Sequence, residues 1–197
     1  MTTQAEHQSG HPLDGSPIDS DRAPLYSPHV LREYSVLADG ERGALIGPHG
    51  DIVWMCAPRW DCDAVFSSLI GGGGVYAVTP QDRRHVWGGY YEPDTLIWRS
   101  RWTTTTGVIE CREALAFPGD PARVVLLRRI LAHDQPAAVR ILLRPAAGFG
   151  HEPAGELTQS EGVWSGRTRD LHWRWHGGEH APPARSPRPT GSYWSSS

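Results

Sequence analysis

The stretch TLIWRSRW, residues 95–102, alternates in the manner of a β-strand. Successive side chains of a strand point to opposite faces of the sheet. The alternation places Leu96, Trp98 and Trp102 on one face and Ile97, Arg99 and Arg101 on the other. Two tryptophans on one face and two arginines on the other are typical of a strand that buries one side against a core.

The surrounding sequence repeats this pattern. GVIECREAL (107–115), RVVLLRRIL (123–131), AAVRILL (137–143) and LHWRWHG (171–177) also have strand character, and TTTTG (103–107) and FPGDPA (117–122) are turn sequences. Only DAVFSSLI (63–70) has the character of a short helical turn. Turn signals every 8–12 residues or so indicate an antiparallel sandwich. The sequence therefore predicts an all-β protein, built as a two-sheet antiparallel β-sandwich.

The ends of the chain differ in composition from its centre. Residues 1–30 are rich in Ser, Pro, His and Asp, which predicts a disordered leader. Residues 177–197 are rich in Pro, Gly and Ser and predict an irregular tail. The sandwich is therefore expected to span residues 31–176. The abrupt change to Pro, Arg and Ser after Gly177 raises the hypothesis that the tail is truncated or out of frame.

Composition excludes several classes of function. A net charge of −3 and a pI near 6.3 argue against nucleic acid as a partner. No apolar run approaches the roughly 20 residues of a membrane span, and the N-terminus lacks the pattern of a secretory signal. Three cysteines are too few for a disulfide scaffold. These observations predict a cytoplasmic protein without a membrane partner.

The segment DIVWMCAPRWDC, residues 51–62, concentrates reactive side chains but has no metal or redox pattern. Cys56 and Cys62 are six residues apart, with no second cysteine pair, and the His172–His176 pair is remote in sequence. Cys56 is interpreted as a small apolar residue that faces inward together with Trp54. GGGG (71–74) cannot complete a phosphate-binding loop, because the chain contains no lysine. We therefore expect no metal and no cofactor.

Paired carboxylates for glycoside hydrolysis are not evident either. Glu110 and Glu113 are three residues apart on one predicted strand, so their side chains should point to opposite faces. Asp61 and Asp63 lie in a turn-like segment, where such a pair is more often solvated. The sequence therefore predicts no catalytic residue in this chain.

Arg59, Trp60 and Asp61 form the remaining candidate site. A guanidinium fork beside a carboxylate and an indole ring suits the hydroxyls and ring face of a sugar. The same group equally suits a structural corner that follows Pro58, and this reading is favoured. The nine tryptophans have the same two interpretations, sandwich core or sugar-binding face, and Trp54, Trp98 and Trp173 are expected to be structural.

The run EYSVLADGERGALIGPHGDIVWMCAPRWDCDAVFSSLIG (33–71) resembles the start of glucoamylase- and trehalase-type enzymes of glycoside hydrolase family fifteen. The matching positions are Tyr34, Asp39, Ala44, Leu45, Gly50, Ile52, Trp54, Cys56, Pro58, Arg59, Asp61, Phe66 and Leu69. The later run YYEPDTLIWRSRWTTTTGVIECREALAF (90–117) resembles the same family through Tyr91, Thr95, Leu96 and Gly107. The resemblance covers residues 31–176 and implies a sandwich of the supersandwich type.

In this family the sandwich precedes an (α/α)6 barrel that carries both catalytic glutamates and hydrolyses α-glucosidic bonds with inversion. No barrel sequence is present here, so the resemblance implies a non-catalytic N-terminal domain that is inactive alone. It would pack on a barrel, with Arg59, Trp60 and Asp61 at the rim of a pocket for trehalose or an α-glucan. Two alternatives remain open: a free-standing carbohydrate-binding module using exposed Trp, and an inactive truncated fragment.

Overall fold

The computed structural model describes residues 27–177 and 192–195, and these residues form sixteen β-strands. The first eight are β1 (Ser35–Ala38), β2 (Gly43–Ile46), β3 (Asp51–Cys56), β4 (Ala64–Phe66), β5 (Val75–Pro80), β6 (Val86–Tyr91), β7 (Trp98–Thr103) and β8 (Val108–Leu115). The others are β9 (Leu126–His133), β10 (Ala138–Arg144), β11 (Ala146–Ala147), β12 (Glu152–Pro153), β13 (Thr158–Ser160), β14 (Val163–Thr168), β15 (Leu171–Trp175) and β16 (Ser192–Ser195).

The helical elements of this part of the chain are three single 3-10 turns, Leu31–Glu33, Ser68–Ile70 and Gly148–Gly150. The second of them lies within the segment whose sequence had indicated a short helical turn. None of the described helices is long and apolar enough to cross a membrane. The architecture is therefore all-β, as predicted.

Two large antiparallel sheets form the body of the molecule. One has the order β1-β2-β3-β5-β10-β16, with β4 paired to β3, and the other has the order β6-β7-β8-β9. Smaller sheets consist of β13-β14-β15 and of β11-β12. Most of the predicted leader, residues 1–26, lies outside the described residues, and so does the tail apart from Gly177 and β16. The composition of the tail gave no sign of β16, which pairs with β10 at the sheet edge.

The core lies between the two large sheets. The seven-stranded sheet contributes residues such as Leu37, Ile46, Ile52, Val78 and Ile141, and the four-stranded sheet contributes Trp98, Trp102, Ile109, Cys111 and Leu115. Trp102 is fully buried, and its indole N–H donates to the carbonyl of Pro48 (3.0 Å), in the turn between β2 and β3 of the opposite sheet. The alternation predicted for residues 95–102 is confirmed for Trp98 and Trp102, whereas Leu96 precedes β7 and is half-exposed.

A β-bulge in β3 changes the expected orientation of Trp54. Leu45 of β2 pairs with Trp54 and Ile46 pairs with Ile52, so Val53 is an extra residue in β3. The extra residue reverses the alternation, and Met55 joins the main core instead of Trp54. The expectation that Trp54 faces the core with Cys56 was therefore wrong. Trp54 is half-buried and contacts the ring of Phe149 (centroid separation 6.1 Å).

Arg128 of β9 connects the two large sheets. It forms a buried ion pair with Glu113 of β8 (2.5 Å) in its own sheet, and it donates to the carbonyls of Gly50 (2.6 Å), in the turn before β3, and of Tyr76 (3.3 Å) in β5. Its guanidinium lies 4.6 Å from the ring centroid of Tyr76. Ser100 donates to the second carboxylate oxygen of Glu113 (2.9 Å). Both charges are therefore compensated inside the sandwich.

Candidate functional site

Arg59, Trp60 and Asp61 lie in the turn between β3 and β4. The guanidinium of Arg59 donates to both carboxylate oxygens of Asp61, at 2.9 and 2.7 Å. The side chains remain 60% and 69% exposed, so the pair is a preformed fork at the surface. The hydrogen bond from Arg59 holds the pKa of Asp61 below its ordinary value. Asp61 is thus a carboxylate that stays ionised and is suited to binding, not to proton transfer.

Trp60 is the exposed hydrophobic member of this corner. Its side chain is 56% exposed, but one edge of the indole packs on Gly43 of β2. A Cβ atom at Gly43 would lie 2.7 Å from the Cη2 atom of Trp60, so only glycine allows this contact. The ring is held on one edge and free on the rest of its surface.

Arg42 fixes the backbone beneath the corner. This arginine is fully buried, and its guanidinium donates to the carbonyls of Pro58 (2.5 Å), Asp120 (2.7 Å) and Arg123 (3.2 Å) and to the carboxylate of Asp39 (3.0 Å). Burial alone would raise the pKa of Asp39, but the hydrogen bonds that it accepts lower it below the ordinary value. We did not identify Arg42 from the sequence, where it is one residue of an Asp-Gly turn.

A second ion cluster lies next in sequence to the corner. Arg169, in the turn between β14 and β15, donates to Asp63 (2.8 Å) and to both carboxylate oxygens of Glu152. Asp63 therefore binds Arg169 and does not form a carboxylate pair with Asp61. The contact ties the three-stranded sheet to the chain that leaves the corner.

Cys56 and Cys62, the two cysteines of residues 51–62, form no disulfide. Cys56 and Cys62 are both free thiols, and burial raises the pKa of the Cys56 thiol. Within residues 27–177, no group of three or more His, Cys, Asp or Glu side chains is arranged to hold a metal ion.

Asp51, at the start of β3, is a buried carboxylate to which no arginine is hydrogen-bonded in the described part of the chain. It is fully buried, and neither carboxylate oxygen has a hydrogen-bond partner among the described residues. Burial raises the pKa of this carboxyl group. A Cβ atom at Gly47 would lie 2.8 Å from an oxygen of Asp51, so the side chain is tightly enclosed by the preceding turn. Such a buried carboxyl group lowers the stability of the folded protein, and it is not accessible to a substrate as an acid.

Glu110 and Glu113 point to opposite faces of β8, as the alternation predicts. Glu113 faces the core and binds Arg128, whereas Glu110 faces outward and binds Arg99 (3.1 Å). Each carboxylate is neutralised by its own arginine, and the two do not converge on one space. They therefore lack the arrangement that glycoside hydrolysis requires.

The tryptophans divide between the core and the surface. Trp98 is 7% exposed, and Trp173 is half-buried and packs against the main core. Among the residues whose side chains are described, Trp60 is the only tryptophan that is exposed. A sugar-binding face made of several exposed tryptophans is therefore absent from this part of the chain.

The chain is similar to one family of known proteins and to two trehalases. A family model described as trehalase-like, N-terminal, matches residues 26–167. The trehalase of Mycobacterium tuberculosis (strain ATCC 25618 / H37Rv) is 35% identical over 104 residues, which cover 49% of this chain and 14% of that protein. The trehalase of Mycolicibacterium smegmatis (strain ATCC 700084 / mc(2)155) is 35% identical over 92 residues, 43% of this chain and 13% of that protein.

No solved structure matches the chain. The aligned segments are a small fraction of both trehalases, whereas the family model covers most of the sandwich, including the corner at residues 59–61. The chain belongs to the trehalase-like N-terminal domain family.

Proposed function

We propose that this chain is the non-catalytic N-terminal domain of a trehalase-like glycosidase of glycoside hydrolase family fifteen. The sandwich, residues 31–176, packs on a catalytic (α/α)6 barrel that hydrolyses the α-glucosidic bond of trehalose or of an α-glucan. The relatives named as trehalases support this proposal, because the matched segments make up only 14% and 13% of those proteins. The cytoplasmic location inferred from the sequence belongs to the same proposal.

The observation that carries the proposal is the rigid presentation of Trp60. Exposed tryptophans and arginines on an ordered support are the residues that most often dominate protein interfaces. Here Arg42 immobilises the carbonyl of Pro58, and the Arg59–Asp61 fork follows directly. We propose that this corner contacts the barrel and borders its substrate pocket.

The carboxylates of the sandwich support a non-catalytic role. Glu110, Glu113 and Asp61 each bind an arginine, and Asp51 is enclosed in the core. None of these groups is placed as an acid–base pair around an open space. The domain alone is therefore expected to release no glucose from trehalose or maltose.

A chimera tests this proposal. The corresponding segment of the Mycobacterium tuberculosis trehalase is replaced by residues 27–177 of this chain, and trehalose hydrolysis is measured. We expect the chimera to be active, and Trp60→Ala to reduce its activity about tenfold or more, because an interface anchor contributes about 2 kcal/mol. Leu127→Ala, at an exposed leucine of the four-stranded sheet (53% exposed), is the matched control and should leave activity unchanged.

Two results would contradict the proposal. Glucose release by the isolated chain would place catalysis in the sandwich. A Trp60→Ala chimera as active as the parent would remove the corner from the interface.

A further inference from the structure

A cavity of about 440 Å³ lies at the end of β10, away from the residues of the Arg59–Asp61 corner. It opens between the turn that follows β10 and the face of β15. Its lining includes the apolar residues Leu143, Leu157 and Trp173 and the polar residues Arg144, His151 and Glu156. The volume is within the range of roughly 300–1,000 Å³ that is usual for small-molecule sites.

Two charged side chains of this cavity have no partner in the part of the chain that the structure describes. Arg144, which is half-buried, and Glu156, which is exposed, form no hydrogen bond or ion pair there, whereas His151 interacts electrostatically with Glu152. Several other arginines of this molecule are paired with carboxylates, as in the contacts of Arg99 with Glu92 (2.7 Å) and with Glu110. An unpaired guanidinium and an unpaired carboxylate at the same cavity are therefore available to a ligand.

The apolar wall is preformed. Trp173 of β15 pairs with Gly166 of β14, and its indole covers the position where a side chain at residue 166 would stand. A Cβ atom there would lie 2.5 Å from Cζ2 of Trp173 and 3.1 Å from Cδ2 of Leu157. Glycine thus lets the ring and Leu157 pack side by side, and binding a ligand to this wall requires no rearrangement of the strands.

The charges of the cavity indicate the class of ligand. Arg144 and Glu156 carry opposite unit charges, so a phosphate or carboxylate would meet attraction and repulsion together. A neutral ligand with several hydroxyl groups can use both, since hydroxyls donate to a carboxylate and accept from a guanidinium. An apolar ring face against Trp173 and Leu157 completes the match.

We infer that this cavity binds a neutral sugar, of monosaccharide or disaccharide size, through Arg144, Glu156 and the wall formed by Trp173 and Leu157. The inference goes beyond the proposed function, because it requires neither a catalytic barrel nor the corner at Trp60. The site is a binding site only and carries out no chemistry.

Calorimetric titration of the full chain with glucose, trehalose and maltose tests this inference, with glucose 6-phosphate as the anionic comparison. We expect saturable binding of at least one neutral sugar at millimolar concentrations and weaker binding of the phosphate. Arg144→Met and Glu156→Gln should each lower the affinity about tenfold, because each removes a hydrogen bond to a charged group. Arg101→Met, at an exposed arginine of the four-stranded sheet, should have no effect.

A second variant separates this site from the corner. Trp60→Ala should leave sugar binding unchanged while it impairs the trehalase chimera, so failure of one proposal is distinguishable from failure of the other. Gly166→Val should abolish binding by displacing Trp173, and circular dichroism shows whether the variant is folded. Absence of binding by all three sugars would overturn the inference. Binding unaffected by both Arg144→Met and Glu156→Gln would do so too, as would binding lost in Trp60→Ala.

Discussion

Removal of the Arg128 side chain should cost a large part of the stability of the sandwich. Arg128→Met leaves Glu113 buried without its 2.5 Å partner and deprives the carbonyls of Gly50 and Tyr76 of their donors. Breaking a buried ion pair costs about 3–5 kcal/mol, of a total stability of about 5–15 kcal/mol for a typical domain. With a urea dependence of about 2 kcal/mol per molar, 4 kcal/mol lowers the unfolding midpoint by about 2 M.

Tryptophan fluorescence in urea measures this change, and two further variants interpret it. Arg59→Met breaks a pair whose side chains are 60% and 69% exposed and should cost only a small fraction of that free energy. The double variant Arg128→Met with Glu113→Leu removes both charges and should recover part of the loss, since no carboxylate is left unpaired. The recovery is only partial because the carbonyls of Gly50 and Tyr76 still lack this donor. If Arg128→Met unfolds within about 1 kcal/mol of the parent, the assignment of Arg128 as a connection between the sheets is refuted.

Three other predictions follow from the geometry. Asp51→Asn should become more stable relative to the parent as pH rises from about 4 to 7. The pKa of Asp51 is raised in the folded state, so above the pKa of the unfolded state its ionisation destabilises the parent protein. Urea unfolding at several pH values measures the difference, and parallel pH curves for the two proteins would contradict it. In the native protein a thiol reagent should modify Cys62 only, because Cys56 and Cys111 are buried and burial raises the pKa of both thiols. Arg42→Met should cost about 3–5 kcal/mol in urea unfolding, since it leaves buried acceptors unpaired; a loss under 1 kcal/mol would argue against its role under the corner.

The sequence predicts the fold well where alternation is uninterrupted. The alternation around Trp98 and Trp102 identified a buried strand face, and the same rule placed Glu110 and Glu113 on opposite sides of β8. It failed at Trp54, because the bulge at Val53 inserts one residue that no local pattern announces. A single inserted residue is enough to exchange the two faces of a strand.

The buried arginines, Arg42 beneath the candidate site and Arg128 in the core, were harder to predict from the sequence. Arg128 had a detectable signal, since the alternation of β9 requires either Arg128 or Arg129 to face the core. Arg42 had none, because three of the groups that it binds are backbone carbonyls, two of them about eighty residues along the chain, and carbonyls are present at every position. Arg59, Trp60 and Asp61 lie together at an exposed corner, and their role at a substrate rim or as a structural corner remains a prediction.

The contacts of Arg42 also set an order for synthesis of the chain. Asp39 leaves the ribosome just before Arg42 and Pro58 soon after it, but the carbonyls of Asp120 and Arg123 emerge about eighty residues later. Until then two of its acceptors do not exist, and this guanidinium can be buried only at a cost. The corner should therefore become protease-resistant on nascent chains only after residue 123 has emerged, which ties completion of the corner to that of the loop before β9.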